Sequence, residues 1–182
     1  MVLDEMERED LLEKIYQSAY KNERKHGSCS QSLLAGIDEH LDLIDERLFK
    51  ASHGLAGGTA VTTEGTCGAL VAGIMLIGTK LGRNKENYYN ATPGSLDQYK
   101  PSKRLLKRFK DEYGTCICNE VHKKIFGRRY DLWNEKEFKD FEKAGAHTTK
   151  CPKVVANTAR WTVELLIEEL GEEEFQRLII RR

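Results

Sequence analysis

The sequence predicts an all-α protein: one single-domain helical bundle over residues 1–182, with a glycine-rich loop and four cysteines at helix N-termini. Three observations carry this. Apolar residues recur at intervals of three and four along most of the chain. No stretch shows the period-two alternation of a half-buried strand. A chain of 182 residues is long enough to bury one core of its own.

The first helix is expected over Met6 to Lys25, behind Asp4 or Glu5, with Leu11, Leu12, Ile15 and Ala19 at helical spacing. A second runs from Ser28 to His40, with Leu33, Leu34, Ile37 and Leu41 on one face. A short third helix follows Asp45, an N-cap residue type, as far as Ser52. The stretch "HGLAGGTAVTTEGTCG" is too rich in glycine for regular structure and reads as an ordered loop. An apolar helix then spans Thr66 to Leu81, with Gly82 as its stop. Residues 83–101 form a polar connection with room for one helical turn. Ser102 is expected to cap a basic amphipathic helix that ends at Tyr113 before Gly114. Thr115 is expected to cap the next, running to Phe126. Residues 127–150 look irregular apart from a short helix over Asn134 to Lys143. Pro152 suits the first turn of a final long helix through Leu170, and a last turn or two covers Glu172 to Ile180.

Acidic and basic residues balance at 29 each, and a formal net charge of zero argues against a dedicated nucleic-acid binder. Lys100, Lys103, Arg104, Lys107, Arg108 and Lys110 lie near one another, but with Asp111 and Glu112 beside them they read as a solvated helix face. The N-terminus "MVLDEMERED" is acidic and shows no signal peptide. The longest apolar run, Ala69 to Gly78, falls far short of a bilayer span. A cytoplasmic protein is therefore expected, with no membrane partner. In a reducing compartment, metal binding or redox chemistry explains five cysteines better than structural disulfides do.

The cysteines contain no C-x-x-C pair. Cys116 and Cys118 form only C-x-C, followed by Asn119 and Glu120, which excludes covalent haem attachment. Position says more. Cys29 follows Gly27, Cys67 follows Gly65, Cys118 lies one turn after Gly114, and Cys151 precedes Pro152. Each reads as a first-turn residue of a different helix, where free N–H groups and the dipole favour thiolate. Their neighbours three and four residues on set the faces. Cys29 meets Ser32 and Leu33; Cys67 meets Leu70 and Val71. Cys118 meets Val121 and His122; Cys151 meets Val154 and Val155. These faces turn inward. Cys116 meets Asn119, Glu120 and Lys123, a polar face. A single buried cysteine is commonly just a small hydrophobe. Four at equivalent positions, with the fifth excluded by the same test, favour convergence on one point.

Four segments resemble a family named for its cysteine pattern, the C_GCAxxG_C_C redox-active proteins, over about residues 18–165. "HGSCSQSLLAGIDEHL" carries Cys29, and "HGLAGGTAVTTEGTCGALVAG" carries Cys67, Gly68 and Ala69. "RFKDEYGTCIC" selects Cys118 over Cys116, and "CPKVVANTARWTVELL" carries Cys151. One departure stands out: the pattern puts a glycine at position 72, where this chain has Ala72 followed by Gly73. The resemblance implies a redox role. A related non-haem domain occurs in split-Soret cytochromes, where an iron–sulfur centre accompanies haem.

The leading expectation is thus an electron-transfer protein that binds an iron–sulfur cluster, of 2Fe–2S or 4Fe–4S type, through Cys29, Cys67, Cys118 and Cys151. Backbone N–H groups of Gly57, Gly58 and Gly68 are expected near the cluster sulfurs. Two alternatives stay open: metal-free thiol–disulfide chemistry and a structural zinc site with all four cysteines as ligands. His122 shares the Cys118 face and reads as a core histidine or a site partner. His147 and His53 are weaker candidates, and His26 and His40 read as surface. Trp161 and Phe109 fit core stripes. No nucleophile–base pair or paired-carboxylate motif is readable, so no substrate or catalytic acid follows. A redox partner protein of unknown identity is implied. The apolar helix Ala69 to Ile77 is either central to the core or part of a homodimer interface.

Overall fold

The computed structural model describes residues 4–90 and 96–180. They form ten α-helices with no strand among them. Two isolated antiparallel bridges, Leu41 with Ile179 and Thr66 with Ile117, tie loops together. The long helices are α1 (Glu5–His26), α2 (Cys29–Asp38), α4 (Gly68–Leu81), α6 (Lys100–Tyr113) and α9 (Cys151–Leu170). Shorter ones are α3 (Glu46–Ser52), α5 (Lys85–Asn90), α7 (Cys118–Phe126), α8 (Glu135–Lys143) and α10 (Glu172–Gln176).

Local chemistry sets most of these ends. Asp4 and Glu7 close a reciprocal capping box on α1. Asp45 caps α3 by accepting the Leu48 N–H at 2.8 Å, and Asn134 caps α8 by accepting from Lys136 and Glu137. Asp45→Ala should cost about 1 kcal/mol of stability in a denaturant titration. Gly114 and Gly127 end α6 and α7 in the left-handed region, which their missing Cβ allows.

Three expectations shift. Helix α6 begins at Lys100, not behind a Ser102 cap, because Pro101 occupies its first turn, where a missing N–H costs nothing. Helix α7 begins at Cys118, not after Thr115. The Thr115 hydroxyl instead accepts the Ile117 N–H at 3.1 Å, and Ile117 pairs with Thr66. Residues 146–150 are not irregular: Ala146–Lys150 form a π-helical turn that runs directly into α9. The polar connection over 83–101 contains α5 and a short 3-10 turn, Asp97–Tyr99, and its residues 91–95 lie outside the described residues.

Helix α1 packs on α2 and α9, α2 also meets α4 and α9, and α4 lies against α6 and α9. Leu33, Leu34, Ile37, Leu70, Leu76, Leu105, Phe109 and Leu166 are fully buried among them. Trp161 joins this core as well. Helix α4 buries Ala69, Leu70, Ala72, Gly73, Leu76 and Ile77. Burial within one chain therefore accounts for its apolarity. Gly73 takes the close contact: a Cβ there would sit 2.5 Å from the Thr162 hydroxyl on α9. Ala72 is itself completely buried. A second, smaller cluster joins Tyr130, Phe141 and Ala146 with Phe126, Leu132 and Cys151. Residues of both clusters line one cavity.

Candidate redox site

The loop between α3 and α4 has an unusual backbone. Gly57, Gly58, Thr59, Ala60 and Val61 all have positive φ, from 48° to 72°, and Thr63 follows at 64°. Left-handed backbone costs a residue with a Cβ about 1–2 kcal/mol, so hydrogen bonds must hold the loop. Loop hydrogen bonds do this: Ala60 N–H to the Gly54 carbonyl at 2.8 Å, Val61 to Ala56 at 3.0 Å and Thr63 to Gly57 at 2.8 Å. Trp133 adds its indole N–H to the Ala60 carbonyl at 3.0 Å. Strain retained this way is characteristic of functional sites.

The same loop is joined to the start of α7. Cys118 N–H donates to the Gly65 carbonyl at 2.9 Å, and Asn119 N–H to Thr63 at 2.8 Å. Cys67 N–H donates to the Cys116 carbonyl at 2.8 Å. Cys67 becomes the N-cap residue of α4, while Cys29, Cys118 and Cys151 are the first residues of α2, α7 and α9. Four separate elements thus deliver four thiols to one cavity of about 540 Å³, lined by Cys29, Cys67, Cys118 and Cys151. Cys116 does not line it. Nor does Cys116 sit on an exposed helix face. It precedes α7, is half-buried and packs against the main core.

Glycines bring the backbone up to these sulfurs. Gly57 N–H donates to Cys29 Sγ at 3.5 Å. A Cβ on Gly68 would lie 2.7 Å from Cys29 Sγ, and one on Gly58 would lie 2.6 Å from Cys118 Cβ. The three glycines form a cradle that side chains would fill.

The expectation that helix N-termini favour thiolate does not hold here. A hydrogen bond with the Cys67 thiol, then burial, pushes the Cys29 thiol well above its ordinary range. Burial does the same to Cys118 and Cys151, reinforced at Cys151 by Glu23. The dipole is spent elsewhere. Loop carbonyls take the first N–H groups of α7, and the Cys151 N–H already donates to the Ala146 carbonyl of the π turn. Burial therefore wins, and without a metal these thiols are neutral.

Around the sulfurs lie groups of mixed legibility. His122 is 3% exposed, and its Nε2 stands 3.6 Å from Cys118 Sγ. Its ring packs against Phe141 with centroids 4.8 Å apart. Burial, with a smaller push from His147, lowers the His122 imidazole to about 4. The unfolded chain thus takes up this proton near pH 6.5 and the folded one only near 4. Metal-free protein should lose about 3 kcal/mol as pH falls through that window, and the loss should level off below it. Denaturant titrations across the window check this, and His122→Phe should flatten the dependence.

Glu23 reads from sequence as one more polar residue in "KNERKH", yet it is 1% exposed and lines the cavity. Burial raises its carboxyl above the usual carboxylate range against an opposing pull from His147. His147 Nε2 stands 3.9 Å from Glu23, and its Nδ1 hydrogen-bonds Glu142. His53 and His26 line the outer cavity, and His40 bonds the Ser18 hydroxyl instead. Sequence reading also passed over Trp133, Phe138 and Phe141. The signal for them was three aromatics at positions 133, 138 and 141, the last two sharing one face of α8.

Among the described residues, no group of three or more His, Cys, Asp or Glu side chains can hold a metal ion as the side chains stand. No described helix is long and apolar enough to cross a membrane.

Fold and site together define an all-α protein whose helices bring four cysteines to one strained, glycine-cradled cavity. Residues 28–165 match the family described as "Putative redox-active protein (C_GCAxxG_C_C)". The chain belongs to that family, which is the redox class the cysteine segments implied. No curated protein and no solved structure matches it.

Proposed function

We propose that this protein carries electrons through an iron–sulfur cluster held by Cys29, Cys67, Cys118 and Cys151. The observation that carries the reading is the delivery of four thiols from four separate elements to one cavity that leaves Cys116 out. Three physical points favour it over the alternatives. A structural zinc ion needs all four sulfurs within about 2.3 Å of one point, which suits a compact knuckle better than ligands spread over four helices. A cluster spreads its four sulfur ligands over two or more irons, so all four need not meet at a single metal. Buried thiols pushed upward in pKa are poor nucleophiles, which counts against thiol–disulfide catalysis. A bound metal reverses this by deprotonating the thiol outright.

Each residue then has a task. The four cysteine sulfurs would hold the cluster. Gly57 donates its N–H to the Cys29 sulfur and so raises the reduction potential. Gly58 and Gly68 keep side chains out of the volume beside Cys118 and Cys29. The apolar cavity wall limits water. When bound, such a cluster supplies reversible one-electron transfer.

Because the Cys29, Cys118 and Cys151 thiols are held neutral without metal, loading must release protons, and metal affinity should rise steeply with pH. Anaerobically purified protein should contain iron and acid-labile sulfide and absorb visible light through sulfur-to-iron charge transfer. Zinc without sulfide, or a disulfide between the adjacent Cys29 and Cys67 in metal-free active protein, would overturn the reading.

A further inference from the structure

The cysteines are only part of the cavity lining. At about 540 Å³ it falls in the size range of pockets that enclose a small organic molecule. Its outer wall is apolar and aromatic: Val61, Leu132, Trp133, Phe138 and Phe141. Trp133 is 73% exposed, and Phe138 and Val61 are also open to solvent, so these three mark the mouth. The mouth is a built feature. Val61 belongs to the strained left-handed turn, and Trp133 is fixed to that turn through the Ala60 carbonyl.

Elsewhere in the lining the chemistry changes. Among the described residues only two buried side-chain polar atoms lack a hydrogen-bond partner, Glu23 Oε2 and His122 Nδ1. Both residues line this cavity. Unpartnered buried polar groups are rare and call for an explanation. No lysine or arginine is among the lining residues, so nothing there offers a fixed positive charge to an anion.

We propose that the cavity binds a planar aromatic molecule bearing a hydroxyl or amino donor, its ring between Trp133, Phe138 and Phe141 and its donor toward Glu23. Aromatic walls favour stacked or edge-on rings. The one carboxylate oxygen of Glu23 without a partner favours a donor over a negative charge. The inference rests on the reading of this cavity as the redox site and adds the organic ligand that would sit beside the thiols.

The test uses calorimetry at neutral pH on anaerobically purified protein of measured iron content, with 2-naphthol and 2-naphthoate as probes. 2-Naphthol should bind saturably, and 2-naphthoate at least about tenfold more weakly. Glu23→Gln should shrink or reverse that gap. Leu132→Trp, which adds bulk to the cavity wall, should abolish 2-naphthol binding with the circular dichroism unchanged. Absence of 2-naphthol binding, equal affinity for both probes, or full binding in Leu132→Trp overturns the proposal. The cluster reading fails separately: iron-free protein that binds 2-naphthol upholds the ligand site alone, and iron-loaded protein that does not bind it refutes the ligand site alone.

Discussion

Serine at position 67 is expected to remove nearly all iron and labile sulfide from the protein while leaving it folded. Cys67 is 6% exposed and lines the cavity together with Cys29. Losing one of the four proposed ligands would leave an iron of the proposed cluster without its soft ligand, and a hydroxyl does not ionise to replace it. The fold has reason to survive. Residue 67 is the N-cap of α4, a position where serine is favoured. The backbone bond from residue 67 to the Cys116 carbonyl does not involve the side chain. Cys116→Ser provides the contrast, because Cys116 lies outside the cavity. It should keep its iron at a cost of about 1 kcal/mol for placing a hydroxyl against the core. Metal analysis and circular dichroism on both variants decide the matter. Equal iron loss at 67 and 116 would mean the site has been assigned to the wrong sulfurs, and full retention in Cys67→Ser would reduce that thiol to a small buried hydrophobe.

How far this site could be read in advance depended on the range of the forces involved. The ends of α3 and α8 follow from Asp45 and Asn134, whose side chains act on N–H groups two or three residues away. The inward faces of Cys67, Cys118 and Cys151 follow from helical spacing alone. The start of α7 did not follow, because it is set by a pairing between Ile117 and Thr66, which lie far apart in sequence. The left-handed turn through Thr59, Ala60 and Val61 was hidden for the same reason. No local preference puts β-branched residues there, and hydrogen bonds within the loop, with one from Trp133, hold them. Thiol protonation was misjudged because a helix N-terminus favours thiolate only when its N–H groups are free. Glu23 carried no signal at all: its burial comes from the walls assembled around the end of α1.

Alanine at position 68 should both destabilise the protein and strip its metal, whereas alanine at position 78 of the same helix should stabilise it. Both replace a glycine of α4 without needing positive φ. Gly78 faces solvent, and an added Cβ there meets nothing within 4 Å. The gain is the helical preference of alanine, about 0.5–1 kcal/mol. At Gly68 the added Cβ would lie 2.7 Å from Cys29 Sγ, 2.7 Å from the Leu55 carbonyl oxygen and 3.0 Å from Ala56 Cα. Two of these are backbone atoms of the segment leading into the strained turn, which cannot yield without disturbing the Val61 to Ala56 hydrogen bond. Overpacking of this kind costs about 1–3 kcal/mol. The remaining neighbour is a proposed ligand, so whatever relief the Cys29 sulfur provides also moves it off its place in the cluster. Stability and iron should therefore fall together in Gly68→Ala, as read by denaturant midpoint and metal content. Stability lost with iron fully retained would mean that α4 packs tightly there for reasons unconnected with the cysteines.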